Sequence, residues 1–353
     1  MEISTPGRIC LFGEHQDYLG LPVIAMAISL RMKIVGEKRL DNKINIDMPD
    51  IGRKQTFSLD KLDYSHSRDY FKSGIKTCQK EGLKFSRGFN CKINSKIPIS
   101  AGTSSSSALT VSWINFLSKM ADNSVEWKPK KIGAMAYKAE VEEFNESGGM
   151  MDQYSAAIGD LIYLESTPKI NVKRINSKLG SFVLGDSGES KNTMKILHRC
   201  KENQKLVLKK IHTSNSKFDL FNKNHQNLDL STLNQKEKVL FKGLIKNKII
   251  LKKAFEELNK DNIDHKLIGD LLLKHHSILR DVLKVSTPKI ELMLDSAIQA
   301  GAVGGKINGS GGGGCMFAYA PNNTEKVAEA INKVGGKAYI VDSDSGTIKM
   351  QED

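Results

Sequence analysis

The chain has 353 residues, 39% of them hydrophobic and 26% charged, with 29 glycines against 8 prolines. That is enough apolar chain for a sizeable core, which excludes a wholly disordered polymer, and the length allows two domains or one two-lobed unit. The start, MEISTPGRIC, has no basic region followed by an apolar run, no stretch approaches the ~20 apolar residues that span a bilayer, and five scattered cysteines without a CxxC pair argue against a disulfide framework or a zinc site, so a cytoplasmic location is expected.

In chain order, the apolar, β-branched run at 22–36 predicts one or two strands, and 88–98 another short strand leading to a turn. Residues 104–121 set Leu109, Ile114, Phe116 and Leu117 on one helical stripe, with serines at the cap. A second helix is expected over 130–145, ended near Gly148 and Gly149. A short helix at 150–159 and a strand at 160–166 follow. Beyond about residue 180 the composition shifts toward Lys, Asn and Leu, and helices dominate until residue 301. A glycine-rich turn, a strand at 315–321, a helix at 325–336 and a strand at 337–343 close the chain, which suggests a ferredoxin-like lobe. The expected architecture is α+β in two lobes, 1–180 and 181–353.

The net charge of +13 is concentrated: residues 191–280 hold 20 Lys and Arg against 9 Asp and Glu. These basic residues alternate with apolar ones at helical spacing, as in KVLFKGLIKNKIILKKAFEEL (238–258). That is the pattern of a solvated amphipathic face. Only Phe241 and Phe255 supply aromatics there, so neither a nucleic-acid nor a membrane partner is expected.

Three segments carry chemistry. Pro98 to Ala108 (PISAGTSSSSA) runs through a proline turn, a glycine and four serines directly into a helix. Free N–H groups at a helix start, with the macrodipole, make an anion site, and hydroxyls add donors and a possible magnesium ligand. A plain serine cap explains the same residues, and there is no GxxxxGK[ST] P-loop. Gly304 to Cys315 (GGKINGSGGGGC) is a loop able to cradle phosphate or to support another loop that does. Pro6 to Gly20 (PGRICLFGEHQDYLG) flanks an apolar strand with Arg8, Glu14, His15 and Asp17, a set suited to a polyhydroxyl ligand and lacking the repeated spacing of a metal site.

Together and in this order, the segments resemble the GHMP kinase superfamily. PGRICLFGEHQDYLGLPVIAMAI resembles the galactokinase signature, because mevalonate-type members carry GEH without the acid two residues beyond the His. IPISAGTSSSSAL and INGSGGGGCMFAY resemble the family's second and third motifs, and AEVEEFNESGGMMDQYSAAIG (139–159) the region of its catalytic aspartate. Cys10 stands where galactokinases have Asn, and Thr103 where their phosphate loop has Leu.

The resemblance implies a GHMP kinase fold, with an N-terminal lobe like ribosomal protein S5, a ferredoxin-like C-terminal lobe, and the active site between them. Asp152 takes the place of the catalytic aspartate facing the anomeric hydroxyl, with Arg8 beside it. Ser106 and Glu140 correspond to magnesium ligands. Gly102, Thr103, Ser104, Ser105, Ser106 and Ser107 wrap the ATP phosphates. Glu14, His15, Asp17 and the Gly149 amide bind the sugar. The implied activity is ATP- and magnesium-dependent phosphorylation of galactose or a related sugar at its anomeric hydroxyl, by a monomer or homodimer. The alternatives are a 1-kinase of N-acetylgalactosamine, arabinose, a uronic acid or a heptose, and a non-catalytic sugar sensor.

Overall fold

The computed structural model describes residues 1–351 apart from 100, 191 and 223–227, so Ser100 of the serine-rich segment and Lys191 and 223–227 of the basic stretch lie outside the described residues. Strands β1 (Glu2–Phe12) and β2 (Val23–Lys38) form the antiparallel centre of the first sheet. Every residue of β1 after the first is buried, as is β2 from Val23 to Ile28. Both faces are covered there, which is why β2 opens as an unbroken apolar run and why the Ser4, Thr5 and Arg8 side chains of β1 are buried. From Arg31 onward β2 alternates buried and exposed residues, the mark of one wet face. The stretch is thus one long strand.

The hairpin β3 (Lys43–Met48) and β4 (Arg53–Ser58) follows, then α1 (Tyr70–Lys80) and β5 (Phe89–Ser95), which pairs parallel to β3 and antiparallel to β2. Helices α2 (Ser105–Met120), α3 (Pro129–Tyr137) and α4 (Met151–Ile158) lead to β6 (Leu161–Glu165) and β7 (Asn171–Arg174), which extend from β2. Helices α1, α2 and α3 seal this sheet through an aromatic cluster in which Trp113 stacks on Phe116 and meets Phe71 and Phe89 edge-on. Trp113 also donates its indole N–H to the Phe71 carbonyl at 2.9 Å, so its polar edge is satisfied in the core.

The second sheet holds β8 (Phe182–Asp186), β9 (Gly304–Ile307), β10 (Cys315–Tyr319) and β11 (Lys337–Val341) in the order β11-β8-β10-β9, every pair antiparallel. Between β8 and β9 run α5 (Thr193–Ser214), α6 (Gln235–Leu258), α7 (His265–Asp281) and α8 (Pro288–Gln299), and α9 (Thr324–Lys333) joins β10 to β11. This is the expected ferredoxin-like order with its first crossover enlarged. Phe182, Phe317 and Tyr319 of this sheet share a core with Ile9, Leu11 and Ile24 of the first, so the lobes are packed together. The chain then returns to the first sheet, where β12 (Ile348–Lys349) pairs with β1. Lys242, Lys246, Lys252 and Lys253 of α6 lie exposed opposite buried Phe241, Leu244 and Leu251, as expected for a solvated face.

Two local expectations change. The helix expected over 130–145 ends as α3 at Tyr137 and continues as a wide π turn, Lys138–Glu142. At α2, Ser104 occupies the cap position in the left-handed region (φ 61°) and its side chain makes no cap bond. The helix start therefore keeps its N–H groups available. Among the described residues, no helix is long and apolar enough to cross a membrane, and the five cysteines are buried and form no disulfide.

Candidate active site

Three segments far apart in sequence are tied into one cleft by hydrogen bonds between them. The Arg8 backbone N–H donates to the Thr103 carbonyl at 3.2 Å, and its Nη1 donates to the Gly102 carbonyl at 2.5 Å. Asn308 Nδ2 donates to the same carbonyl at 2.9 Å, while its Oδ1 accepts from the Cys10 N–H at 3.0 Å. The Cys315 N–H reaches the Ala101 carbonyl at 2.6 Å. Gly309, at φ 75°, sits so close to Gly102 that a Cβ would come within 2.7 Å of its carbonyl oxygen. Of the two roles open to the glycine-rich loop, the geometry therefore favours support of the serine loop, although Gly309 and Ser310 also reach the cleft wall.

The cleft holds about 250 Å³ and is lined by Arg8, Glu14, His15, Asp17, Gly102, Ser104 to Ser107, Glu140, Gly149 and Asp152. Thr103 does not reach it. It is fully buried, and its hydroxyl donates to the Pro98 carbonyl at 3.2 Å, which leaves it a role inside the loop. Arg8 is buried and grips Asp152 at the start of α4, with Nε and Nη2 each 2.8 Å from Oδ1. Burial alone would lower the Arg8 pKa, but the Asp152 and Glu14 charges raise it. Asp17 packs against Gly149, where a Cβ would come within 2.1 Å of Asp17 Oδ2. Its pKa is pushed up to about 7, first by the surrounding protein that desolvates it and then by the Asp152 charge.

Glu14 and His15 are more constrained than the sequence suggests. Glu14 is buried, accepting from Lys306 Nζ on one oxygen and from the Gly309 N–H on the other. Burial still raises its pKa, with Lys306 and Arg8 opposing. His15 Nε2 lies 3.0 Å from the Ser310 carbonyl, which can only accept, so that nitrogen carries a proton. In the neutral ring Nδ1 then accepts from the Tyr18 hydroxyl at 3.2 Å. Both side chains thus hold the wall of the cleft as well as lining it.

Three family descriptions match the chain: the galactokinase galactose-binding signature over residues 2–38, the GHMP kinases N terminal domain over 69–160, and the GHMP kinases C terminal over 251–338. A mevalonate kinase of Thermococcus gammatolerans is 30% identical over 99% of this chain and 98% of its own. The chain belongs to the GHMP kinase family. A galactokinase of Clostridium tetani is 27% identical over 94% of this chain and 88% of its own. Among solved structures, Lactococcus lactis galactokinase complexed with galactose superposes with a TM-score of 0.83 at 21% identity, covering 99% of this chain and 95% of its own. The fold is that of GHMP kinases, and the family's chemistry is phosphoryl transfer.

In this GHMP kinase, the donors near the helix start suit a hard divalent cation. The π turn carries Glu140 inward beside α2, where it accepts from Ser107 Oγ at 3.0 Å and Gln153 Nε2 at 2.7 Å. Ser106, exposed at the cleft, also donates to it. Burial pushes the Glu140 pKa up to about 7, the hydrogen bonds hold it down, and the Asp152 charge adds to the rise. A buried carboxylate in this state gains by meeting a cation. Among the described residues Ser104 Oγ is buried without a hydrogen-bond partner, a donor left over for a ligand. The groups placed to meet a cation here, the Glu140 carboxylate and the Ser104 and Ser106 hydroxyls, present oxygens, the donor type that fits magnesium. Arg68, Tyr70, Glu146, Thr193 and Met194 also line the cleft. Only Glu146 lies within a motif segment, 139–159, and the folded chain brings the others to the cleft.

The Gly149 contact makes a prediction. A Gly149→Ala side chain would meet Asp17 Oδ2 at 2.1 Å, its Cγ at 2.4 Å and its Cβ at 3.0 Å, so the whole carboxylate must turn aside and Tm should fall modestly. KM for the acceptor should rise about 10-fold, the order of one charge-assisted hydrogen bond, with KM for the nucleotide nearly unchanged. Steady-state kinetics with each substrate varied in turn checks it.

Proposed function

We propose that this kinase transfers the γ-phosphoryl group of ATP to the anomeric hydroxyl of galactose or a related sugar. The observation that supports the reading is Asp17, a carboxylate at the cleft wall beside Asp152 and Gly149. A pair of neighbouring sugar hydroxyls can donate to such a carboxylate. An acceptor that itself carries a carboxylate, such as mevalonate, would instead meet repulsion from Asp17 and Asp152. The galactose-binding signature spans this segment. The two sequence halves, divided near residue 180, would then contribute the sugar and phosphate motifs on one side and the supporting glycine loop on the other.

In the reaction so proposed, the triphosphate lies across the start of α2 and receives hydrogen bonds from the N–H groups and hydroxyls of Ser104 to Ser107. Glu140 and Ser106 would hold magnesium, which neutralises phosphate charge when bound. Asp152, fixed by Arg8, orients the anomeric hydroxyl. The hydroxyl oxygen bonds to the γ-phosphorus, the bond to the β–γ bridging oxygen breaks, ADP leaves, and the hydroxyl proton passes to Asp152. Arg8 offsets charge on the transferring group.

The second reading, a mevalonate kinase, is favoured by the 30% identity to the Thermococcus gammatolerans enzyme. One assay separates them: ADP release from magnesium ATP against galactose, N-acetylgalactosamine, arabinose, glucose, galacturonate, glucuronate, mannoheptose and mevalonate. Turnover with a sugar and none with mevalonate is the expected result. Turnover with mevalonate alone replaces the proposal with the second reading. Silence throughout, with sugar binding still detected by calorimetry, turns the chain into a sensor.

A further inference from the structure

Arg68 stands outside every motif, two residues before α1, in the left-handed backbone region at φ 63°. Its Nε donates to Glu146 Oε1 at 2.5 Å and its Nη2 to Glu146 Oε2 at 2.9 Å, a two-pronged pair. Tyr70 adds its hydroxyl to the same carboxylate at 3.4 Å. Both members line the cleft together with Ser104 to Ser107 and Glu140, and Arg68 lies within electrostatic reach of Glu140.

The charge balance of the cleft makes this pair unusual. Glu14, Asp17, Glu140, Glu146 and Asp152 line it, against two guanidinium groups. Arg8 is 4% exposed and committed to Asp152 and the Gly102 carbonyl. The Arg68 side chain is 39% exposed and lines the cleft. A polyphosphate entering this cleft needs a cation that can come forward, and the fork that fits a carboxylate fits two phosphate oxygens equally well.

We propose that Arg68 is a phosphate-binding residue held in reserve on Glu146. When a magnesium nucleoside triphosphate enters, the guanidinium exchanges Glu146 for oxygens of the terminal phosphates. Glu146 lies between Glu140 and Asp152 in sequence, so the exchange also releases the loop that carries Gly149 from its tether to the segment before α1. In the nucleotide-free enzyme Glu146 competes with the phosphates. The inference rests on nucleotide binding in this cleft and not on which acceptor is phosphorylated.

The test is calorimetric titration of the full chain with magnesium AMPPNP and, separately, with AMP, no acceptor being present. Arg68→Gln should weaken AMPPNP about 10-fold and AMP less than about 2-fold, since AMP lacks the terminal phosphates. Glu146→Gln removes the competitor and should tighten AMPPNP about 3-fold. Arg68→Lys, which keeps the charge without the fork, should fall between wild type and Arg68→Gln. The opposite signs of the first two variants carry the inference, because a merely structural ion pair weakens binding whichever member is lost. Parallel weakening in both, or an unchanged AMPPNP affinity in Arg68→Gln, overturns it. Should Arg68→Gln fail to fold, the sign of the Glu146→Gln effect decides alone. Absence of AMPPNP binding by the wild-type chain overturns the nucleotide reading itself.

Discussion

Replacing Asp152 by Asn should lower kcat with the acceptor sugar about 10³- to 10⁴-fold while leaving calorimetric affinity for magnesium ATP within about 3-fold. A positioned carboxylate that takes or orients the proton of an attacking hydroxyl contributes on the order of 10²–10⁴ in rate, and in the proposed reaction its pairing with Arg8 would add charge neutralisation in the transition state. Asn preserves the volume and can still accept from Arg8 Nε, now 2.8 Å from Oδ1. What it removes is the negative charge and the proton acceptor. Arg8 then keeps the Gly102 carbonyl and a neutral amide oxygen in place of the carboxylate, so Tm should fall as well. Because the Asp152 side chain is 29% exposed, that penalty stays below the ~3–5 kcal/mol typical of a fully buried pair. ADP release measures the first effect and thermal melting the second. A variant that keeps a tenth of the wild-type kcat would remove Asp152 from the chemistry.

Much of this site was legible in the sequence because its parts are local. Arg8, Glu14, His15 and Asp17 come from one segment and Ser104 to Ser107 from another, each marked by its residue types, while Gly149 and Asp152 stand out only through the likeness of 139–159 to the family's catalytic region. The fold was legible for the same reason wherever one element buries one face. What could not be read are the partners supplied by distant chain. Lys306 in β9 closes on Glu14 across 292 positions, and Asn308 bridges Cys10 and Gly102. A lone Lys or Asn carries no local sign of such a role. Thr103 illustrates the converse error, since membership of a loop that faces the cleft does not decide which way a side chain turns. Glu140 depended on a backbone feature no periodicity reveals: the π turn sets it inward while Glu142 stays exposed.

Asp17→Asn should trade activity for stability, and the pH dependence of both identifies the cause. With the carboxylate gone, kcat/KM for the sugar should fall about 100-fold, the order expected when hydroxyls lose two bonds to a charged acceptor. The stability change runs the other way. A carboxyl group has an ordinary pKa of ~3.9 in the unfolded chain, whereas Asp17 in the folded cleft titrates at about 7. Below both values the group is protonated in either state and costs nothing. As pH rises from about 4 to 7 the folded state holds the proton more tightly than the unfolded state, so wild-type stability falls along that window and stays reduced above it. Asn is neutral throughout and still accepts from the Tyr18 N–H, a bond of 2.9 Å in the wild type. The variant should therefore be more stable at pH 8 by about 1–3 kcal/mol, discounted for water reaching the cleft, or about 2–5 °C in Tm. At pH 5, one third of the way through the window on the pH scale, the difference should shrink to about a third. The wild-type kcat/KM should climb as pH passes about 7, because the ionised carboxylate accepts from two sugar hydroxyls with charge-assisted bonds that the protonated group cannot match, and the slope of its logarithm against pH should drop by about one in the variant. Melting curves at pH 5 and pH 8, set beside the two pH–rate profiles, check all three. A variant less stable than wild type at pH 8 would mean that Asp17 is held by contacts inside the protein and is not a charge kept ready for a ligand, and the sugar reading of the cleft would lose its support.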